Sequence, residues 1–145
     1  MPRVYRHRAA AGLRSTPTDL GRVGAMIDAL GLTSPNSSER VIDIALALQM
    51  LTPTLLNSGD PVGYGPGLTM ETDSACLSTG GLANISCHSG SNGAARASLY
   101  INRLTGEVSA MAFRASNSDD AAAFHPLINT RILTELGWDD TCAPF

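Results

Sequence analysis

"ISCHSGSNGAARASLYINRLTGEVSAMAFRA", residues 85–115, decides the fold. It consists of short segments of β-branched, aromatic and small residues, divided by the Gly-bearing stretches "SGSNGAA" and "LTG". Runs of that length, punctuated in that way, predict strands joined by tight turns. Upstream, "STGG" at 78–81 divides two more segments of the same kind. Four successive antiparallel strands are expected, at about 68–77, 82–88, 96–103 and 107–115.

Turn length sets which residues meet. With "STGG" as a four-residue turn, Leu77 pairs with Leu82, Cys76 with Ala83, Thr72 with Cys87 and Glu71 with His88. Closing "SGSNGAA" sets His88 against Arg96. A three-residue "LTG" turn pairs Leu99 with Met111 and Ala97 with Phe113. Alternation then sends Cys76, Ala83, Ile85, Cys87, Leu99 and Ile101 to an apolar face. The other face carries Glu71, Asp73, Ser86, His88, Arg96, Ser98, Tyr100 and Arg114. All of this rests on register, since a slip of one residue moves every member to the opposite face.

Helices are expected on either side of the meander in sequence. Leu20, Val23, Ile27 and Leu30 recur at helical spacing, with Thr18 as N-cap and Gly31 as stop. A second helix, about Ser38–Leu51, is apolar on nearly every side, which predicts a central position. Pro53 ends it, and "NSGDPVGYGPG", residues 57–67, is expected to be a loop around Tyr64. A C-terminal helix starts at a Ser118 cap, with Asp119 and Asp120 at the positive end of its dipole. Pro126 should break or kink it. The expected class is α+β: two N-terminal helices, a four-stranded antiparallel meander and a C-terminal helix, the helices packed on one sheet face. Residues 1–17 form a basic N-terminal arm and 18–145 a single domain.

Composition narrows the function. The 145 residues carry a net charge of −3, with 43% hydrophobic and 16% charged residues. That is globular, and it lacks the basic surface that nucleic-acid binding needs. The local exception is the arm, where Arg3, Arg6, Arg8, Arg14 and His7 precede the first acid, Asp19. No apolar run reaches membrane-spanning length, and no apolar segment follows the basic N-terminus. The sequence therefore predicts a protein without a membrane span or visible secretory leader, and a cytoplasmic location or else a virion or mature form whose export does not show in the sequence. Cys76, Cys87 and Cys142 match no zinc spacing and cannot all pair within one chain. No metal or cofactor is expected.

Three chemistries are open to these residues. A thiol nucleophile needs a base within reach. Cys87 and His88, as neighbours on a strand, point to opposite faces, which leaves only His125 to approach a cysteine. Glu71, His88 and Arg96, as cross-strand neighbours, could bind an anion or move a proton. The simpler reading of that trio is a solvated ladder of opposite charges, worth about 0.2–1 kcal/mol per pair. "SGSNGAAR" could cradle phosphate only if it led into a helix, and a strand follows it. The expected function is a non-enzymatic interaction or assembly domain. It would bind a protein partner, or further copies of itself, through the polar sheet face, the Tyr64 loop and the arm. The alternative is a small enzyme, of hydrolase or proton-transfer type, using His88 or His125 with a carboxylate or thiol.

Overall fold

The structure, a computed structural model, describes residues 14–31, 38–52, 55–56, 62–71 and 85–138. Among the described residues three helices, α1 (Pro17–Asp28), α2 (Ile44–Met50) and α3 (Ser118–Glu135), accompany six strands. The strands are β1 (Leu55–Leu56), β2 (Val62–Gly65), β3 (Leu68–Glu71), β4 (Ile85–Asn92), β5 (Ala95–Asn102) and β6 (Glu107–Arg114). They form one antiparallel sheet in sequence order. The α+β class and the antiparallel meander are as expected. The meander also has two further strands, β1 and β2. Tyr64 lies on β2, paired with Leu55 and Thr69, where a loop was expected.

The registers differ from those expected, and the turns explain why. Asn92 pairs with Ala95 around a two-residue turn, Gly93–Ala94, in which Gly93 has φ +58°. A glycine with positive φ at the first central position makes a turn whose twist suits a hairpin. The strand therefore runs on through Ser89–Asn92, and His88 pairs with Leu99 rather than Arg96. At the next turn the Asn102 side chain accepts from the backbone N–H groups of Leu104 and Thr105. This fixes a four-residue turn, 103–106, and Leu99 meets Ala110 instead of Met111. On the other side, Thr69 pairs with Cys87 and Met70 with Ser86, so Glu71 is not opposite His88. The expected turn at 78–81, with Cys76, Leu77, Leu82 and Ala83, lies outside the described residues, as do Thr72, Asp73, Cys142 and arm residues 1–13.

These shifts turn side chains over. Cys87, Arg96, Ser98, Tyr100, Met111 and Phe113 share one face; Ser86, His88, Ala97, Leu99, Ile101, Val108 and Ala110 share the other. Helices cover both faces, a correction to the one-sided packing expected. On the first, Leu133 and Trp138 at the end of α3 close over Ile85, Cys87 and Tyr100. On the second, Ile27 of α1 and Leu51 after α2 close over Leu68, Leu99 and Ile101. A sheet with apolar residues on both sides must bury both.

Local chemistry fixes the helices. Thr16, not Thr18, caps α1: its hydroxyl oxygen accepts from the Asp19 N–H at 3.2 Å, with Pro17 at the first helical position. Asn117, not Ser118, caps α3, accepting from the N–H groups of Asp119 and Asp120. Helix α3 continues through Pro126 without the expected break. The ring is exposed, so solvent can satisfy the carbonyl that its missing N–H leaves unpaired. Helix α2 departs most from expectation. It is seven residues long, capped by Asp43, and only Ala47 within it is buried. Val41, Ile44, Leu46 and Leu48 are 64%, 41%, 55% and 45% exposed. With α1 seated over β5 and β6, so short a helix turns one row inward and leaves the others in water.

Candidate functional site

Two places carry chemistry. The first lies where α3 crosses β5. Ser98 points from β5 toward α3, while His125 and Asn129, one helical turn apart, point back. The Ser98 hydroxyl donates to Asn129 Oδ1 at 2.8 Å and lies 3.0 Å from His125 Nε2. Asn129 Nδ2 is 3.4 Å from the same nitrogen. Since the Ser98 proton goes to Asn129, hydrogen-bond accounting gives Nε2–H of a neutral imidazole as donor to Ser98 Oγ. Burial, and then the Arg96 guanidinium, hold the His125 pKa below its ordinary value, which also favours the neutral ring. Phe113 flanks that ring at 6.2 Å between centroids.

A serine hydroxyl 3.0 Å from an imidazole has the spacing of a nucleophile and its base. Two features set this pair apart. Ser98 and Asn129 are 1% and 2% exposed, so an electrophile has no path to the oxygen. The hydroxyl proton is also committed to an amide carbonyl rather than to the base. What the cluster does is tie α3 to the sheet through the His125–Ser98 and Ser98–Asn129 hydrogen bonds. Arg96 strengthens the same seam, donating to the carbonyls of Gly93, Ala95 and Ser118, the last being the first residue of α3.

The second place is an apolar groove on the α1 face, with a volume of about 290 Å³. Leu20, Val23 and Ile27 of α1 form one wall, Met50 and Leu68 another, and Leu99 the floor, with His88 and Gly90 at the edge. Cavities that enclose small-molecule ligands begin at about 300 Å³ and converge several polar groups on them. Here His88 is the one ionisable side chain in the lining among the described residues. The groove suits a few apolar side chains better than a polar metabolite.

The residues singled out from sequence are thus dispersed. Arg96 and His125 come together electrostatically, on the α3 face. His88 is exposed on the opposite face, opposite Leu99. The Glu71 backbone pairs with Val62 on β2. Glu71, His88 and Arg96 are therefore not cross-strand neighbours. Cys87 and His88 do point to opposite faces, with Cys87 buried at 6% exposure against Tyr100 and Leu133. Asn129 escaped sequence reasoning, which places Ser98 only as one member of a polar sheet face. Their signals were a polar residue three positions into a buried strand and an Asn four after His125, the helical spacing that lets both meet one partner.

At the sheet end, the Glu107 carboxylate accepts from Thr105 Oγ1 at 2.8 Å and Trp138 Nε1 at 3.2 Å, which lowers its pKa. Burial raises that of Asp28 against the opposing pull of Arg103. Among the described residues no helix is long and apolar enough to cross a membrane. No family model, curated protein or solved structure matches the chain.

Proposed function

We propose that this chain is a non-enzymatic interaction domain that docks a protein partner on the apolar surface of residues 41–50 and the adjoining groove. One observation carries the reading: Val41, Ile44, Leu46 and Leu48, four large apolar side chains within eight residues, are each more than two-fifths exposed. Single exposed hydrophobes need no explanation, but four in one short segment that runs into the groove at Met50 suit a contact surface. The groove, lined by Val23, Met50 and Leu68 among others, would receive the partner's anchoring side chains. The polar residues first expected to serve this role together are divided between the faces: Arg96, Ser98 and Tyr100 lie on the face that α3 covers, and Ser86, His88 and Arg114 on the other.

The test is site-specific photo-crosslinking of the full chain in its native cell, with the crosslinker at Leu46 or, as control, at Leu104. Leu104 is 73% exposed but lies on the β5–β6 turn. The reading expects a discrete adduct from position 46, absent from position 104 and lost in the Ile44→Glu/Leu48→Glu variant. Equal labelling from both positions, or none from either, refutes it.

A further inference from the structure

We infer that β6 is a dimerisation edge, pairing antiparallel with β6 of a second copy about a two-fold axis at Met111. This surface is separate from that of residues 41–50, and a different set of observations supports it. Strand β6 ends the sheet, and among the described residues no strand lies beyond it. Its eight residues, EVSAMAFR, contain no Pro or Lys, and charge occurs only at the two ends. Open edges of this length are ordinarily blunted by such residues or by a bulge, because the free backbone groups recruit another strand.

Hydrogen-bond phase shows which groups are free. Ala115 N–H donates to Ala94 O, so positions alternating from there, Phe113, Met111, Ser109 and Glu107, direct their backbone groups at β5. Val108, Ala110, Ala112 and Arg114 direct theirs outward. A two-fold axis normal to a sheet preserves its faces, so paired residues must share parity, and the centre falls on a residue. Centring on Ala110 would set Arg114 against Gly106, a turn residue whose N–H already donates to Asn102 O. Centring on Met111 pairs Val108 with Arg114 and Ala110 with Ala112, within the strand, each pair exchanging two hydrogen bonds.

Charge complementarity selects a second copy as the occupant. The Asp28 carboxylate stands at the Gly106 end of β6: its Oδ2 is 3.6 Å from where a Gly106 Cβ would be. In the Met111-centred register, Arg114 is the diagonal neighbour of Gly106 in the other copy. Cα atoms in that relation are about 7–8 Å apart, within reach of a long side chain. Arg114 is exposed and makes no ion pair among the described residues. Each copy would thus bring its guanidinium to the other's Asp28, twice by symmetry. The flank of α1 above this edge is small: Gly21 sits over Ala110, and Ala25, one turn on, is exposed. Among the described residues, Gly21 and Ala25 leave room there for the approach of a second sheet.

Sedimentation velocity on the full chain across a concentration series tests the inference, with amide hydrogen exchange read alongside. Wild type should be a reversible dimer. The amides of Val108, Ala110 and Ala112 should be protected when concentrated and exchange freely when dilute, while those of Ser109, Met111 and Phe113 stay protected throughout. Ala112→Pro removes an outward N–H that the folded monomer does not use, so it should give a folded monomer. Arg114→Glu sets two carboxylates together and should weaken dimerisation at least about tenfold. If Ala112→Pro fails to fold, Arg114→Glu and the alternating exchange pattern decide alone. A wild-type chain monomeric at all concentrations overturns the inference. So does a dimer indifferent to both variants, or one with equal protection along the strand. Neither result bears on the crosslinking pattern at Leu46, so this inference and the partner-docking reading fail separately.

Discussion

Two glycines in α1 should respond to the same substitution with opposite signs. An alanine in a helix interior is favoured over glycine by about 0.5–1 kcal/mol, because glycine loses more backbone entropy on folding. At Gly21 a Cβ would sit 3.8 Å from the Ala110 Cβ, an ordinary contact. Gly21→Ala should therefore stabilise by about 0.5–1 kcal/mol. At Gly24 the same atom would lie 2.7 Å from Val108 Cγ1 and 2.9 Å from Leu99 Cδ1. Leu99 is buried, and Val108 is held at a stiff branched carbon, so neither withdraws freely. Overpacking of this kind costs about 1–3 kcal/mol. Set against the helix gain, Gly24→Ala should destabilise by about 1 kcal/mol, and in a chain of this size each kcal/mol moves Tm by about 2–4 °C. Urea titration of the two variants, with Val108→Ala and the Gly24→Ala/Val108→Ala double variant, completes the cycle. In the Val108→Ala background the closer contact is gone, and Gly24→Ala should cost less. If both glycine variants stabilise alike, or Val108→Ala leaves the cost unchanged, α1 is not seated against β5 and β6 through Gly24.

The seam between α3 and the sheet gives two further predictions. Asn129→Leu strips the buried Ser98 hydroxyl of its acceptor and should destabilise by about 1–3 kcal/mol, with Ser98→Ala/Asn129→Leu recovering part of the loss in denaturant titration. Stability should also fall with acid through His125. Its folded-state pKa is depressed, so the unfolded chain takes up the proton first, and the stabilisation is complete above the ordinary value of 6.5. It is lost as pH falls below 6.5 toward the folded-state value. Urea midpoints from pH 8 to pH 5 should show a slope that flattens in His125→Gln, whose carboxylates are unchanged; an identical slope would remove His125 as its source.

Much of the architecture was legible because it rests on patterns with a local cause. Gly-bearing turns between short apolar segments gave the meander, and the acidic start after Asn117 gave α3. Register was the part that did not read, and small local choices decided it. Gly93 closes a two-residue turn where seven residues of small and polar character looked like a loop. The Asn102 side chain draws the next turn one residue earlier. The two β4 pairings each moved by three residues and the β5–β6 pairing by one, all odd steps. Odd steps exchange faces, and with them went the trio of Glu71, His88 and Arg96. The segment 38–51 misled in another way. An all-round apolar pattern signals burial in a folded monomer, yet it is equally what a docking surface requires, and sequence does not separate the two.

The exchange of faces bears on the choice between enzyme and interaction domain. Had Arg96, Ser98 and Tyr100 faced water, with His125 elsewhere, the sheet would have offered a polar platform. Instead they lie beneath α3, and His125 meets a serine only inside that layer. For Ser98 to act as a nucleophile, α3 would have to lift from the sheet. That would expose Leu133 and Trp138, which are 0% and 5% exposed, and break the Ser98–Asn129 hydrogen bond and the Arg96 bond to Ser118 together. Burying a Leu side chain alone is worth about 1.5–3 kcal/mol, so such an opening would be rare without a ligand that favours it. Meanwhile, among the described residues, apolar side chains on residues 41–50 and backbone groups along β6 stay open. Those are means of holding other protein, and they support the interaction reading proposed above.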